Sequence, residues 1–373
     1  YLIEKADMRP IREVAGMELK VLPLPEENRK GRFTDESALG FGKIFTDRML
    51  LVEWKAGKGW VDARIQPYGP FMLDPSCLVF HYAQEIFEGL KAYKWSDGTI
   101  ALFRPEMNAR RFNLSADRLC MPQVPEEFFV DSIAQLVRLE KDWVPGAEGT
   151  SLYIRPAMIA VEPVLGVKTS DHYYYYVILS PVGAYYASGF NPVKILVEDR
   201  YVRAVPGGTG EAKTGGNYAS SLKAGLEAKK KGFDQVLWLD GVHRRYVDEV
   251  GAMNMFFAYE DRVVTAPLNG SILSGVTRDS VLRLADDLGF KAEECQIEIN
   301  QLVADIKAGK VKEAFGSGTA AVISPVGVLG YKGESYAVGD GGVGALTRKL
   351  YETLTGIQTG RLPDRFGWVR KIA

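Results

Sequence analysis

Apolar and polar positions along the chain follow two periods. Met49 to Trp54, Thr99 to Phe103, Leu152 to Ile159 and Tyr173 to Leu179 are short runs rich in branched and aromatic residues, which predicts strands. The last is Tyr173-Tyr174-Tyr175-Tyr176-Val177-Ile178-Leu179, almost wholly strand formers. Glu106 to Leu119 and Glu126 to Trp143 read as helices, so 1–180 is expected to form a small α+β domain. Pro181 to Pro192, PVGAYYASGFNP, carries Pro and Gly at both ends and reads as an interdomain linker; a long loop inside one domain fits it equally. Strand signals restart at once with Val193 to Val197, opening a larger C-terminal domain over 193–373. Strands are expected there at Gln235 to Leu239 and Asn254 to Tyr259. In Asn217 to Lys231, Tyr218, Leu222 and Leu226 recur at one helical face. In Val276 to Leu288 the face is Val281, Leu284, Ala285 and Leu288, with Gly289 as the stop. A last helix is expected from about Val343 to Thr355. The fold class is thus mixed α/β in two domains.

Composition narrows the partners. The 373 residues suffice for two ordinary domains, and 46% hydrophobic with 25% charged residues describes a packed, soluble chain. With 46 basic against 47 acidic residues, no basic face for nucleic acid is implied. Lys229-Lys230-Lys231 lies late in a helical pattern, where cations suit the helix dipole. Cys77, Cys120 and Cys295 are far apart and form no CxxC, which favours a reducing, cytoplasmic setting. His81, His172 and His243 lack metal-ligand spacing, so no metal is expected. No apolar run reaches about 18 residues, so no membrane span is expected. The chain begins at Tyr1 rather than Met and shows no signal-peptide pattern.

Two chemistries compete for Lys213. GGTGEAKT, Gly207 to Thr214, nearly matches the phosphate-binding GxxxxGK[ST] loop, and QVLWLD, Gln235 to Asp240, resembles a strand ending in a magnesium-holding Asp. Ala212 breaks the match, because its Cβ obstructs the turn that aims successive N–H groups at phosphates. The other reading uses Gly215 and Gly216, which let a flat ring approach the lysine and let its amine form a Schiff base with an aldehyde cofactor. Glu249, in YVDEVGAMN, supplies a carboxylate of the kind a pyridine nitrogen needs. Gly275-Val276-Thr277 opens a helix whose free N–H groups suit a dianionic phosphate, and GSGTA, Gly316 to Ala320, offers a second such turn. Each could be an ordinary surface residue or cap; their occurrence together after one lysine favours the second chemistry.

KTGGNYA from Lys213, QVLWLDG from Gln235, EVGAMN from Glu249, LNGSILSGVTRDS from Leu268 and GSGTA from Gly316 resemble the branched-chain amino acid aminotransferases, pyridoxal 5'-phosphate (PLP) enzymes of fold type IV. So do FGKIFTDRML from Phe41, HYAQEIFEGLKAY from His81, LFRP from Leu102 and LYIRPAMI from Leu152, in order from about residue 20 onward. The resemblance implies reversible transfer of the amino group of leucine, isoleucine or valine to 2-oxoglutarate, with PLP at the domain interface. It implies that Lys213 is catalytic and holds PLP, that Glu249 meets the pyridine nitrogen, and that Tyr218 meets the ring hydroxyl. Arg104, Val276, Thr277 and Thr319 would hold the phosphate. Phe41, Phe87, Tyr153 and Ala320 would line the substrate pocket, with Tyr82, Leu165 and Val167 supplied by the partner subunit of a homodimer. Arg155, two residues past Tyr153 on one strand face, would take the glutamate side-chain carboxylate.

Two features depart from the mammalian pattern. Ala321 and Ser324 stand where those enzymes carry a CxxC, and Ala252 stands where they carry Thr. The first puts thiol control in doubt, the second the detail of carboxylate binding. The rival readings are a D-amino acid aminotransferase or aminodeoxychorismate lyase of the same fold, a P-loop nucleotide hydrolase, and a PLP-binding protein without turnover.

Overall fold

The computed structural model describes residues 12–14, 16–183 and 190–373, so the centre of the expected linker lies outside the described residues. The chain divides into two compact units: one reaches to Tyr185 and also includes Ile357–Ala373, and the other is Tyr186–Gly356. The expected second domain therefore runs too far. Val369–Lys371 pairs antiparallel with Ile100–Phe103, and Arg138 Nε donates to the Ile372 carbonyl at 2.6 Å. Three residues are too few for a period, so only this pairing reveals the strand.

Among its described residues the first unit forms a ten-stranded sheet in which Arg48–Lys55, His172–Val182, Ser151–Ala160, Leu90–Lys94 and Ile100–Phe103 are successive neighbours. The tyrosine run shows how the sheet is sided. Tyr173, Tyr175, Val177 and Leu179 lie in the core, whereas Tyr174 and Tyr176 face the other way against Phe71. The core face is covered by Pro105–Arg118 and Glu126–Leu139; Phe112 and Phe129 of these helices meet at 5.4 Å and pack on Tyr175 at 5.5 and 6.0 Å. The second helix stops before Trp143, which sits in a separate 3-10 turn, Lys141–Trp143. Because strand period is two, Leu152, Ile154 and Met158 go to the core while Tyr153, Arg155 and Ala157 go to the opposite face.

Among its described residues the second unit has nine strands. Val247–Val250 pairs with both Gln235–Leu239 and Met253–Ala258, which closes six strands into a ring through Val193–Glu198, Val322–Tyr331 and Glu313–Gly318. Val193–Glu198 and Gln235–Leu239 run parallel. The expected helix Asn217 to Lys231 is two pieces, Gly215–Ala219 and Leu222–Lys230. Leu222 and Leu226 do not form its inner face; they are 65% and 60% exposed, and Ala224 and Ala228 pack on Val236 and Trp238 instead. Small side chains let the helix approach the sheet closely, which a hydrophobicity period cannot signal. Val276–Asp287 buries Val281, Leu284 and Ala285 as expected. Among the described residues no helix is long and apolar enough to cross a membrane.

Candidate active site

In the second unit, Lys213 ends a loop laced by one buried side chain. Asn217 Nδ2 donates to the Thr209 and Ala212 carbonyls, both at 2.8 Å, and Thr209 Oγ1 donates to Asn217 Oδ1 at 2.8 Å. The chain then enters the short helix Gly215–Ala219, which brings Tyr218 back over the lysine. Lys213 Nζ donates to Tyr218 Oη at 2.7 Å.

Glu249 is buried on the strand Val247–Val250, in direct register with Asn254 across a two-residue turn. Asn254 Nδ2 donates to Glu249 Oε1 at 3.0 Å, and the Leu273 N–H donates to the same oxygen at 3.3 Å. Against Oε2 stands the guanidinium of Arg203, its Nε at 2.9 Å but not aimed along a hydrogen bond. Burial pushes the Glu249 carboxyl up from its ordinary value; the charges of Arg203 and Lys213 act in the opposite direction.

Asn254 also ties this carboxylate to the next feature. Its amide donates to the Leu273 carbonyl at 3.0 Å, just before Gly275, the extended residue that starts Val276–Asp287. A Cβ on Gly275 would stand 2.1 Å from Asn254 Oδ1, so any side chain there would displace the Asn254 amide. Val276 and Thr277 are buried in the first turn, and the N-cap position is Gly275, which has no side chain to cap it. Thr319 and Ala320 are half-buried in the turn between Glu313–Gly318 and Val322–Tyr331.

The remaining expected residues lie in the first unit. Tyr153, Arg155 and Phe87 share one sheet face, since Phe87 pairs with Ala157. Arg155 Nη2 donates to Tyr153 Oη at 3.1 Å, and its Cζ lies 4.8 Å from the Phe87 ring and 5.3 Å from that of Tyr153. Phe41 meets Tyr153 edge-on at 5.0 Å. Arg104, a buried residue with left-handed φ, precedes Pro105–Arg118 and lies 5.0 Å over Trp368. Tyr82 donates through Oη to the Leu165 carbonyl; Tyr82, Leu165 and Val167 are all exposed.

Three residues that shape this face had no sequence signal of their own. Gly89 lies under Tyr153, so close that a Cβ would stand 2.1 Å from Tyr153 Oη. Buried Glu88 takes Arg111 Nε at 2.7 Å and Arg111 Nη2 and Asn108 Nδ2 at 2.8 Å, which anchors the Phe87–Gly89 segment to the helix Pro105–Arg118. Lys91 is buried directly opposite Tyr153, and burial brings its amine down to about 8. In the second unit Arg203 was missed in the same way.

The nucleotide-hydrolase alternative loses its second anchor. Asp240 is saturated by the backbone N–H groups of Val242, His243, Arg245 and Tyr246 at 2.6–3.1 Å, so it organises a turn. Burial would raise its carboxyl, but these four donors hold it below its ordinary value. Among the described residues no cluster of His, Cys, Asp and Glu could hold a metal ion.

Comparison with known proteins identifies the family. The family model for amino-transferase class IV matches residues 85–328. Branched-chain-amino-acid aminotransferase 2 of Bacillus subtilis (strain 168) is 53% identical over 339 residues, covering 91% of this chain and 93% of its own. The solved Escherichia coli branched-chain amino acid aminotransferase superposes with a TM-score of 0.71 at 26% identity, over 86% of this chain and 99% of that one. The T.th. branched-chain amino acid aminotransferase complexed with N-(5'-phosphopyridoxyl)-L-glutamate gives 0.67 at 28%, over 86% and 98%. These likenesses bear out the mixed α/β, fold type IV expectation. Since the family match runs through Lys213, Glu249 and the helix start at Val276, the chain belongs to the class IV amino-transferases.

Proposed function

We propose that the protein is a branched-chain-amino-acid transaminase, moving the amino group of leucine, isoleucine or valine to 2-oxoglutarate. The observation that carries the substrate class is the face formed by Phe41, Phe87 and Tyr153 around the Arg155 guanidinium. Aromatic walls suit an apolar side chain, and one guanidinium among them suits the second carboxylate of glutamate.

The residues present fit PLP. Glu249 is a buried carboxylate whose Oε2 receives no hydrogen bond among the described residues, so it can accept one from a pyridine N–H. When bound, PLP supplies a carbonyl for amines and a ring that takes up electrons released at the substrate α-carbon. Lys213 Nζ would hold that group and, once displaced by substrate, carry the proton to and from the α-carbon. Tyr218 Oη fixes the direction of this amine and would meet the ring hydroxyl. Glu249 would keep the pyridine nitrogen protonated. The N–H groups of Val276 and Thr277, with Thr319, would hold the phosphate. Ala320 would border the substrate.

The working assembly is a homodimer, in which Tyr82, Leu165 and Val167 of one chain complete the pocket of its partner. What supports this is their exposure together with Met72 and Phe80, which leaves apolar surface uncovered on one chain. The partners are small amino acids and 2-oxo acids, and the proposed location is the cytoplasm.

Turnover of leucine with 2-oxoglutarate, followed as glutamate formed, tests the reading. A D-amino acid aminotransferase would instead turn over D-alanine, and absence of both activities from PLP-loaded protein would reject the transferase reading. Sedimentation of the active species at assay concentration tests the dimer; an active monomer would refute it.

A further inference from the structure

Arg203 is the point where the three segments of the second-unit site meet. Its Nε stands 2.9 Å from Glu249 Oε2; its Nη2 donates to the Gly210 carbonyl at 3.3 Å and to that of Ser271. Gly210 belongs to the loop that presents Lys213, and Ser271 to the segment leading into the helix start at Val276. The approach leaves no room for variation: a Cβ on Gly210 would lie 2.3 Å from the Ser271 carbonyl. The neighbouring Asp248 is also engaged, accepting from Ser271 Oγ at 2.9 Å, so it does not neutralise the guanidinium by direct pairing.

Arg203 and Glu249 are both nearly excluded from solvent, at 10% and 4% side-chain exposure. A carboxylate removed from water is driven towards its neutral form unless a cation stands beside it. A neutral Glu249 would carry its own proton and could not hold one on a ring nitrogen. Arg203 touches Glu249 without donating a hydrogen bond to Oε2, so it supplies charge while leaving that oxygen's lone pair available.

We infer that Arg203 is a positioning residue for the reaction: it keeps Glu249 ionised and locks the Lys213 loop, the Glu249 strand and the lead-in to Val276 in one arrangement. The inference rests on the reading of Glu249 as the partner of the pyridine nitrogen. It predicts a loss shared by every amino donor, since the carboxylate serves a step common to all of them.

The test compares R203Q, which keeps amide donors for the two carbonyls but removes the charge, with R203K, which keeps the charge but not the fork. In the apoenzyme labelled with carboxyl-13C glutamate, and with E249Q used to assign the resonance, the Glu249 titration is expected to rise by about one to three pH units in R203Q. In R203K it is expected to stay near the parent's. Asp248 and Lys213 are the other charged groups acting on Glu249, Asp240 acts in turn on Asp248, and all three are unchanged in both variants. With 15N-labelled PLP bound, the pyridine resonance of R203Q should move towards the unprotonated position, and kcat should fall by one common factor for leucine and glutamate. A folded R203Q with the parent's Glu249 titration overturns the inference. If E249Q itself leaves the pyridine resonance unmoved, the reading of Glu249 fails instead, and the apoenzyme titration still decides whether Arg203 ionises it. Where R203Q does not fold, the double variant R203Q/E249Q decides: recovery of folding shows that the two charges require each other, and failure to recover overturns the coupling.

Discussion

Replacing Arg155 by Met separates recognition of glutamate from recognition of leucine. The guanidinium has one hydrogen bond, to Tyr153 Oη at 3.1 Å, and its buried Nε finds no acceptor among the described residues. A buried donor without a partner costs about 1–3 kcal/mol, a cost recovered when an anion arrives. Glutamate and 2-oxoglutarate bring a second carboxylate; leucine does not. A charge-assisted hydrogen bond contributes about 1.5–3 kcal/mol, so kcat/KM for glutamate should fall by about one to two powers of ten. The contacts of Arg155 with Phe87 at 4.8 Å and Tyr153 at 5.3 Å are lost as well. Each is worth about 0.5–1 kcal/mol, but they are lost whichever substrate binds and so appear as a common factor. Met retains much of the stem's apolar packing, which limits that common factor. The assay is the single-turnover half-reaction with each amino acid, followed by the absorbance of bound PLP. The quantity to compare is the ratio of the two kcat/KM values. Equal losses for leucine and glutamate would refute the reasoning and leave Arg155 as a support for Tyr153.

Gly89→Ala should displace the Tyr153 phenol, since the new Cβ would stand 2.1 Å from its oxygen. Such overpacking costs about 1–3 kcal/mol, and kcat/KM should fall for both substrates; unchanged kinetics would show that the ring has another resting place. Lys91 links the same face to pH. Its folded value of about 8 lies below the 10.5 of an ordinary lysine, so between those values the unfolded chain binds the extra proton and stability rises with pH. The cost of burying its charge, on the order of 3 kcal/mol, is full near neutral pH and relieved above about pH 10.5. Denaturant unfolding of Lys91→Met and the parent should therefore show the variant's advantage shrinking as pH rises; a constant difference would contradict the burial argument. Asn217→Ala removes three hydrogen bonds from the loop before Lys213. A loss of about 2–3 kcal/mol is expected, and amide exchange at residues 209–214 should accelerate while the sheet remains protected. Protection equal to the parent's would mean that the loop is held elsewhere.

Features that depend on near neighbours along the chain were legible before folding was considered. Alternation in the run from Tyr173 to Leu179 sorts its side chains to two faces, and the structure places Tyr173 and Tyr175 in the core accordingly. The motifs around Lys213, Glu249 and Val276 sit on a loop, a strand and a helix start, because glycines, branched residues and caps act within a few residues. Tertiary structure decided which faces turn inward and which distant groups meet. The period of Leu222 and Leu226 marks a helical face, but the sheet accepts the small side chains of Ala224 and Ala228, and the leucines stay outside. The strand Val369–Lys371 exists because Ile100–Phe103 has an edge to pair with. Arg203 stands in an irregular stretch with no period, and its partners Glu249 and Ser271 come from other segments. A buried charge is legible only where its counter-charge and its exclusion from water are both in view, and those are properties of the folded chain.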